Sequence, residues 1–276
     1  MEIRTTDTDL FGSVESLLES IQRDPVDSDV DVIVLKIHNP ALQTIKKSYQ
    51  LPLLGKTLTD WVKLAFDQCP ITELECDMST DIVTTIRPHL KNKKWTAVFY
   101  ADTPLLQRRT FLNILDWVQT KKLNVCKLDR GWIFVTDYIK QAERIFATTE
   151  QHDFGKEDFL TVFNMQQLEN AGQVLHQRIL NYHQQNGVQF IDKSTTFIDA
   201  DVTIGKNVII YPNNFITGET VIGDNVTIGP FCTIKSSKIG NDVKLNSVYI
   251  ENSEVADKTQ LTPFTTIIDG TKKREK

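Results

Sequence analysis

The sequence predicts an α/β chain in two parts: an N-terminal domain of alternating strands and helices, then a short coil of parallel β-strands. Three observations carry this expectation. Isoleucines recur every six residues from Ile198, apolar runs of strand length alternate with helical patterns before about residue 160, and a helix-period segment lies between the two. The length of 276 residues also suits about two domains of roughly 150 residues each.

The repeat is the sharpest signal. Ile198, Ile204, Ile210, Ile216, Ile222, Ile228 and Ile234 each open a unit, and small or apolar residues follow four positions later at Val202, Val208, Val226 and Cys232. Neither a helical period nor hairpin alternation accounts for this spacing. A parallel β-helix does, with each unit supplying a short strand and three units closing one triangular coil around an aliphatic column. Gly205, Gly223 and Gly229 follow inward isoleucines, and Lys206-Asn207 and Asp224-Asn225 suit corners of tight or left-handed backbone. The register compresses to five residues at Ile239 and continues through Leu245, Ile250, Val255, Leu261 and Ile267, giving about four coils of some 18 residues. The ending TKKREK has no aliphatic residue to extend the column and reads as a solvated tail.

Before the coil, Leu168, Ala171, Val174, Leu175, Ile179 and Tyr182 recur at three- and four-residue intervals, an amphipathic helix ended by Asn186-Gly187. The expected organisation is a first domain over 1–164, a connector helix over 165–189, the coil over 190–270 and a charged tail over 271–276.

In the first domain DVIVLKI, ITELECDM and WTAVFY read as strands. TLTDWVKLAF, TDIVTTIRPHL and Phe111 to Val118 read as helices, and WIFVTDYI leads into a last helix. Such alternation predicts a mostly parallel sheet covered by helices, with the ligand crevice beyond the C-terminal ends of its strands. Asp102, just after WTAVFY, falls at that mouth. A carboxylate there can hold Mg²⁺, which needs few protein ligands. The alternative is an Asp-Thr-Pro turn in which the side chain caps its own backbone.

Composition narrows the function classes. Apolar residues make up 40% and charged residues 24%, a globular balance. The net charge of −5 is spread along the chain and leaves no basic footprint for nucleic acid. The start MEIRTTDTD lacks a basic, apolar leader and no run approaches the roughly 18 apolar residues of a membrane helix, so a cytoplasmic location is expected. Cys69, Cys76, Cys126 and Cys232 are too scattered for a disulfide framework, and no second pair completes a zinc site with Cys69 and Cys76. His176 and His183 are seven residues apart on one helix face, read as a solvated pair with metal binding as the alternative. No Ser/His/Asp or Cys/His arrangement is legible from the spacing.

The two halves together resemble the bacterial bifunctional family that is both N-acetylglucosamine-1-phosphate uridylyltransferase and glucosamine-1-phosphate acetyltransferase. The resemblance is strongest from VLHQRILNYHQQNGVQFIDKSTTFIDADVTIG through SSKIGNDVKLNSVYIENSEVADKTQLTPFTTI. It extends weakly to PLLGKTLTDWV and YADTPLL. It implies a shortened Rossmann-like nucleotidyltransferase domain followed by a left-handed β-helix, with coils packed as a trimer, alone or with a full-length relative. Asp102 matches the family's Mg²⁺-binding aspartate. The partner asparagine falls at Phe163, with Asn164 one residue away as the replacement ligand.

The departures from the family are equally specific. The glycine-rich phosphate loop corresponds here to VLKIHNPALQ, which has no glycine, and Pro40 also removes a backbone donor. The family's loop arginine and lysine fall at Ala41 and Ser48. Lys46 or Lys47 can replace them as nucleotide-binding cations, the alternative being a solvated loop. The first acetyltransferase substrate-binding arginine falls at Ile268, and the later coils that carry the catalytic histidine have no counterpart. The expectation is a sugar-nucleotide binding or regulatory protein with a degraded uridylyltransferase site. The alternatives are an altered Mg²⁺-dependent transferase and a structural trimerising module.

Overall fold

The structure is a computed structural model in which residues 29–38, 47–66, 69–77, 81–143 and 152–272 are described. Lys46, Pro40, Ala41 and the end of the charged tail lie outside the described residues. The described part divides into two compact units between Gly172 and Gln173, inside one helix.

The first unit is built on a five-stranded sheet. Its strands are β1 (Val30–Ile37), β4 (Ile71–Cys76), β5 (Trp95–Tyr100), β6 (Val125–Leu128) and β7 (Gly131–Val135), in the order β4-β1-β5-β7-β6. A small hairpin of β2 (Pro52–Leu53) and β3 (Lys56–Thr57) stands apart from it. β1 pairs in parallel with both β4 and β5, whereas β7 runs antiparallel to β5 and β6. The sheet is therefore mixed, where the sequence pattern suggested a mostly parallel one. The cause is local: Asp129-Arg130 is a two-residue connection, and a parallel pair needs a crossover of about a dozen residues.

The apolar continuity of β1 reflects burial on both faces. Val30, Val32 and Val34 pack with Phe66, Phe99 and Phe111 on one side, while Ile33 and Leu35 pack with Ile86, Phe134 and Ile139 on the other. The first face is covered by α1 (Leu58–Leu64) and α3 (Arg108–Thr120), the second by α2 (Ile82–Ile86) and α4 (Thr136–Gln141). α1 opens with a capping box between Thr57 and Asp60. α2 is shorter than its pattern because Pro88 has no N–H, and the chain tightens into a 3₁₀ turn over Arg87–His89. From β1 the chain crosses to β4 on one side and then to β5 on the other, the reversal at which open α/β sheets leave a crevice.

α5 (Met165–Gln185) covers most of the span 165–189 and ends at Gln185, with Ala171, Leu175 and Ile179 buried. In the second unit the period-six isoleucines register coil on coil. Ile198, Ile216, Ile234, Ile250 and Ile267 align on one face, Ile204, Ile222, Ile239 and Val255 on a second, and Ile210, Ile228 and Leu245 on the third. Asn207, Asn225, Asp242 and Lys258 hold successive corners at φ between 56° and 58°, the first three lying two residues after Gly205, Gly223 and Gly240 rather than on them. Gly223 serves close approach instead, since a Cβ there would lie 2.9 Å from the carbonyl carbon of Gly240. The five-residue step at Ile239 is absorbed at Ser236, whose φ is 44°, and by the Ser237 hydroxyl donating to the Lys235 carbonyl at 2.7 Å.

Both histidines on α5 are packed rather than solvated. His176 Nε2 lies 2.6 Å from the Thr196 carbonyl, with its ring stacked on Phe197. His183 is 3% exposed, and burial pushes its pKa from 6.5 down to about 4. The unfolded chain therefore takes up more protons than the folded one between these values, so stability is intact above about pH 6.5 and falls as pH drops toward 4. The full effect is about 3 kcal/mol. Urea unfolding at pH 7.5 and pH 4.5 should show this loss for the second unit, and His183→Leu should remove most of the pH dependence.

Candidate functional site

The C-terminal ends of β1, β4 and β5 meet at one edge, as the crevice requires. After β5 the Ala101 N–H donates to the Leu35 carbonyl at 2.9 Å, and the Thr103 hydroxyl closes the turn by donating to the Tyr100 carbonyl at 2.9 Å. That turn leaves the Asp102 carboxylate facing outward from the sheet end. It does not cap its own backbone. Arg130 Nε donates to Asp102 Oδ1 at 3.1 Å and Nη2 to Oδ2 at 2.6 Å, a bidentate fork.

Arg130 reaches Asp102 because the β6–β7 hairpin ends beside it. Gly131 makes the approach possible: its φ is 150°, and a Cβ there would lie 2.7 Å from the Val98 carbonyl oxygen. The guanidinium is held over the Tyr100 ring at 3.9 Å and lies 5.4 Å from the Phe163 ring. Burial raises the Tyr100 phenol pKa, and the Arg130 charge opposes that shift.

The segment carrying Phe163 is tied down at both ends. Asp158 accepts from Gln107 Nε2 at 2.9 Å and from the Thr110 hydroxyl, and the Val162 N–H donates to the Asp102 carbonyl at 2.8 Å. Asn164 caps α5, its Oδ1 accepting from the Gln167 N–H at 2.8 Å, while Gln167 Oε1 accepts from the Phe163 N–H at 2.8 Å. With Ile37, Ser48, Tyr49, Leu58, Asp102, Arg130, Val162 and Phe163 as its walls, the remaining cavity is about 10 Å³. That is room for about one water molecule.

Lys47 stands on the same edge, paired with Glu75 at 2.6 Å and 5.7 Å from the Tyr49 ring. Its hydrogen bond to Glu75 raises the lysine pKa and lowers that of Glu75. Lys36 lies 3.2 Å from Glu73 and 3.8 Å from Glu75, and Lys63 lies 2.9 Å from Glu73. Lys63 also lies 3.4 Å from Asp60, so these three lysines are paired with carboxylates within the first unit.

Asp102 and Lys47 share the strand-end edge, whereas Asn164 belongs to a helix start and Lys46 lies outside the described residues. The residues present do not fit a resident Mg²⁺. Both Asp102 oxygens face a guanidinium, and the Asn164 oxygen accepts from a backbone N–H. No disulfide joins the cysteines: Cys69, Cys126 and Cys232 are buried, and Cys76 is half-buried. Among the described residues no helix is long and apolar enough to cross a membrane.

The central residue that the sequence reading missed is Arg130. The signal available was Asp129-Arg130-Gly131 between the apolar stretches VCKL and WIFV, a two-residue turn that had to double the chain back.

The coil of six-residue units is similar to that of hexapeptide-repeat proteins. Residues 201–236 match the family described as bacterial transferase hexapeptide (six repeats). The chain is a relative of the bifunctional protein GlmU over about half its length. It is 39% identical to that of Clostridium beijerinckii over 139 residues, covering 49% of this chain and 30% of the relative. With that of Staphylococcus haemolyticus it shares 44% identity over 103 residues, covering 37% and 23% of the two chains, and with that of Halalkalibacterium halodurans 33% over 142 residues, covering 50% and 30%. The matches span less than a third of these relatives' length.

Gly131→Ala tests the hairpin's part in the site. Its added methyl would strain the backbone and meet the Val98 carbonyl, so urea unfolding should show a loss of about 2 kcal/mol. Gly155→Ala, where an added Cβ meets nothing within 4 Å, should cost less.

Proposed function

We propose that the first unit is a shortened nucleotidyltransferase-like domain that has lost transfer chemistry and is kept, with the hexapeptide coil, as a sugar-nucleotide binding or regulatory protein. The observation that carries this reading is the Asp102–Arg130 fork. Phosphoryl-type transfer depends on backbone amides, cations and metal acting together on the developing charge. Here the expected metal carboxylate is taken by a guanidinium, Lys47 would have to release Glu75 to meet a phosphate, and the loop sequence VLKIHNPALQ has no glycine. The strand order and the strand-end crevice support the Rossmann-like ancestry of the unit.

Purified protein given UTP, N-acetylglucosamine 1-phosphate and Mg²⁺ should release no pyrophosphate above the protein-free blank. Glucosamine 1-phosphate and acetyl-CoA should likewise give no free thiol. Robust Mg²⁺-dependent formation of UDP-N-acetylglucosamine would contradict the reading.

A second reading, an assembly built through the coil, is favoured by a band of outward aromatic residues. Phe197, Phe215 and Tyr249 stand on one face, with the first two rings stacked 5.2 Å apart, and Phe231 and Phe264 project from corners at 66% and 88% exposure. Patches of this kind mark association surfaces. Light scattering should give the mass of a trimer, with Phe215→Asp shifting it toward the monomer. A wild-type monomer at every concentration would remove this reading.

A further inference from the structure

We infer that Arg130 is the resident cation of the strand-end crevice. Its guanidinium stands in for a metal ion, and the crevice recognises a phosphorylated ligand without one. The inference rests on the sugar-nucleotide reading and specifies how such a ligand is held.

The argument starts from the donor set. A divalent cation would have to approach an Asp102 oxygen to about 2.0–2.1 Å. Those oxygens already lie 3.1 Å and 2.6 Å from Arg130 Nε and Nη2. A second cation on the same carboxylate would be repelled by the guanidinium. Asp102 is therefore a positioning residue, fixing the plane and direction of Arg130.

Other contacts hold the guanidinium in that place. Tyr100 and Phe163 approach it at 3.9 Å and 5.4 Å, so it is a braced group and not a freely solvated arginine. Nε and Nη2 are occupied by Asp102, which leaves the Nη1 end of the five-donor fork to meet an acceptor. The Arg130 side chain keeps 24% of its surface exposed. The enclosed space admits about one water, so the acceptor meets Arg130 at the mouth of the crevice.

The chemistry that matches such a donor is a phosphate oxyanion, for which arginine is the planar partner and lysine only a point charge. The lysines of this edge are paired with carboxylates as Arg130 is, but each offers a compact point charge where Arg130 keeps a planar fork with Nη1 outside its pair. Among the described residues that line the cavity, Arg130 is the basic one.

The test uses UDP as the probe in isothermal titration of the full chain, with Mg²⁺ and with EDTA, beside Mn²⁺ addition followed by NMR line widths of Tyr100 and Phe163. The expected result is the same UDP affinity in both buffers, within about twofold, and no Asp102-dependent broadening by Mn²⁺. Arg130→Ala should weaken UDP about tenfold, the loss of one charge-assisted hydrogen bond. Arg130→Lys, which keeps the charge and guards against a folding defect, should fall between the two.

UDP binding that requires Mg²⁺, or Mn²⁺ broadening that Asp102→Asn abolishes, would overturn this proposal and leave the sugar-nucleotide reading standing. UDP affinity unchanged in Arg130→Ala would overturn it as well. Absence of UDP binding in both buffers would remove the proposal and that reading together.

Discussion

The bidentate contact between Arg130 and Asp102 decides what the strand-end crevice can do. Asp102 is placed by the parallel pairing of β1 with β5, and Arg130 by the antiparallel hairpin of β6 and β7, so the contact joins the two halves of the mixed sheet. The segment of Val162 and Phe163 closes over the same pair, through the Asp102 carbonyl and across the guanidinium. At the strand ends, where a ligand crevice was expected, the described residues pair their charges and leave a cavity of about 10 Å³.

The second unit is governed by a different constraint, the stacking of like side chains at a fixed repeat. Each inward isoleucine is covered by its counterparts in the neighbouring coils, and the cost of a sharp corner is met by asparagine or aspartate in left-handed backbone two residues after a glycine that permits close packing, or by Lys258 after Ala256. Polar groups inside the coil follow the same rule. Asn214 is fully buried, its Oδ1 accepting from the Cys232 N–H at 2.8 Å and its Nδ2 donating to the Tyr211 carbonyl at 2.6 Å. The regularity that makes the coil stable also leaves its outward positions free to vary, and here they include an aromatic row.

Legibility in the sequence tracks the range of the interaction. The coil could be read because period, corner and column are all local and repeated. β5 could be read to the residue because WTAVFY is apolar but for Thr96, rich in strand-forming residues, and bounded by lysines and an Asp-Thr-Pro turn. The antiparallel half was missed: VCKL is only four residues long, and the decisive fact, a two-residue connection, is a statement about its length more than its composition. Asp102 was visible as a carboxylate at a strand end. Its partner was not, because the two are 28 residues apart and meet only through the sheet order. His183 was misread as solvated for a related reason, since a helix-period pattern marks an apolar face but does not show how far burial extends past its edge.

The most direct test of the central claim is a double-mutant cycle on Asp102→Asn and Arg130→Gln, with stability read by urea unfolding. If the two side chains form the braced pair described above, the cycle should return a coupling of about 1.5 kcal/mol or more, in the range of hydrogen bonds between charged groups. Effects that add within about 0.5 kcal/mol would mean that the two groups act independently, and the account of the crevice as internally neutralised would be wrong.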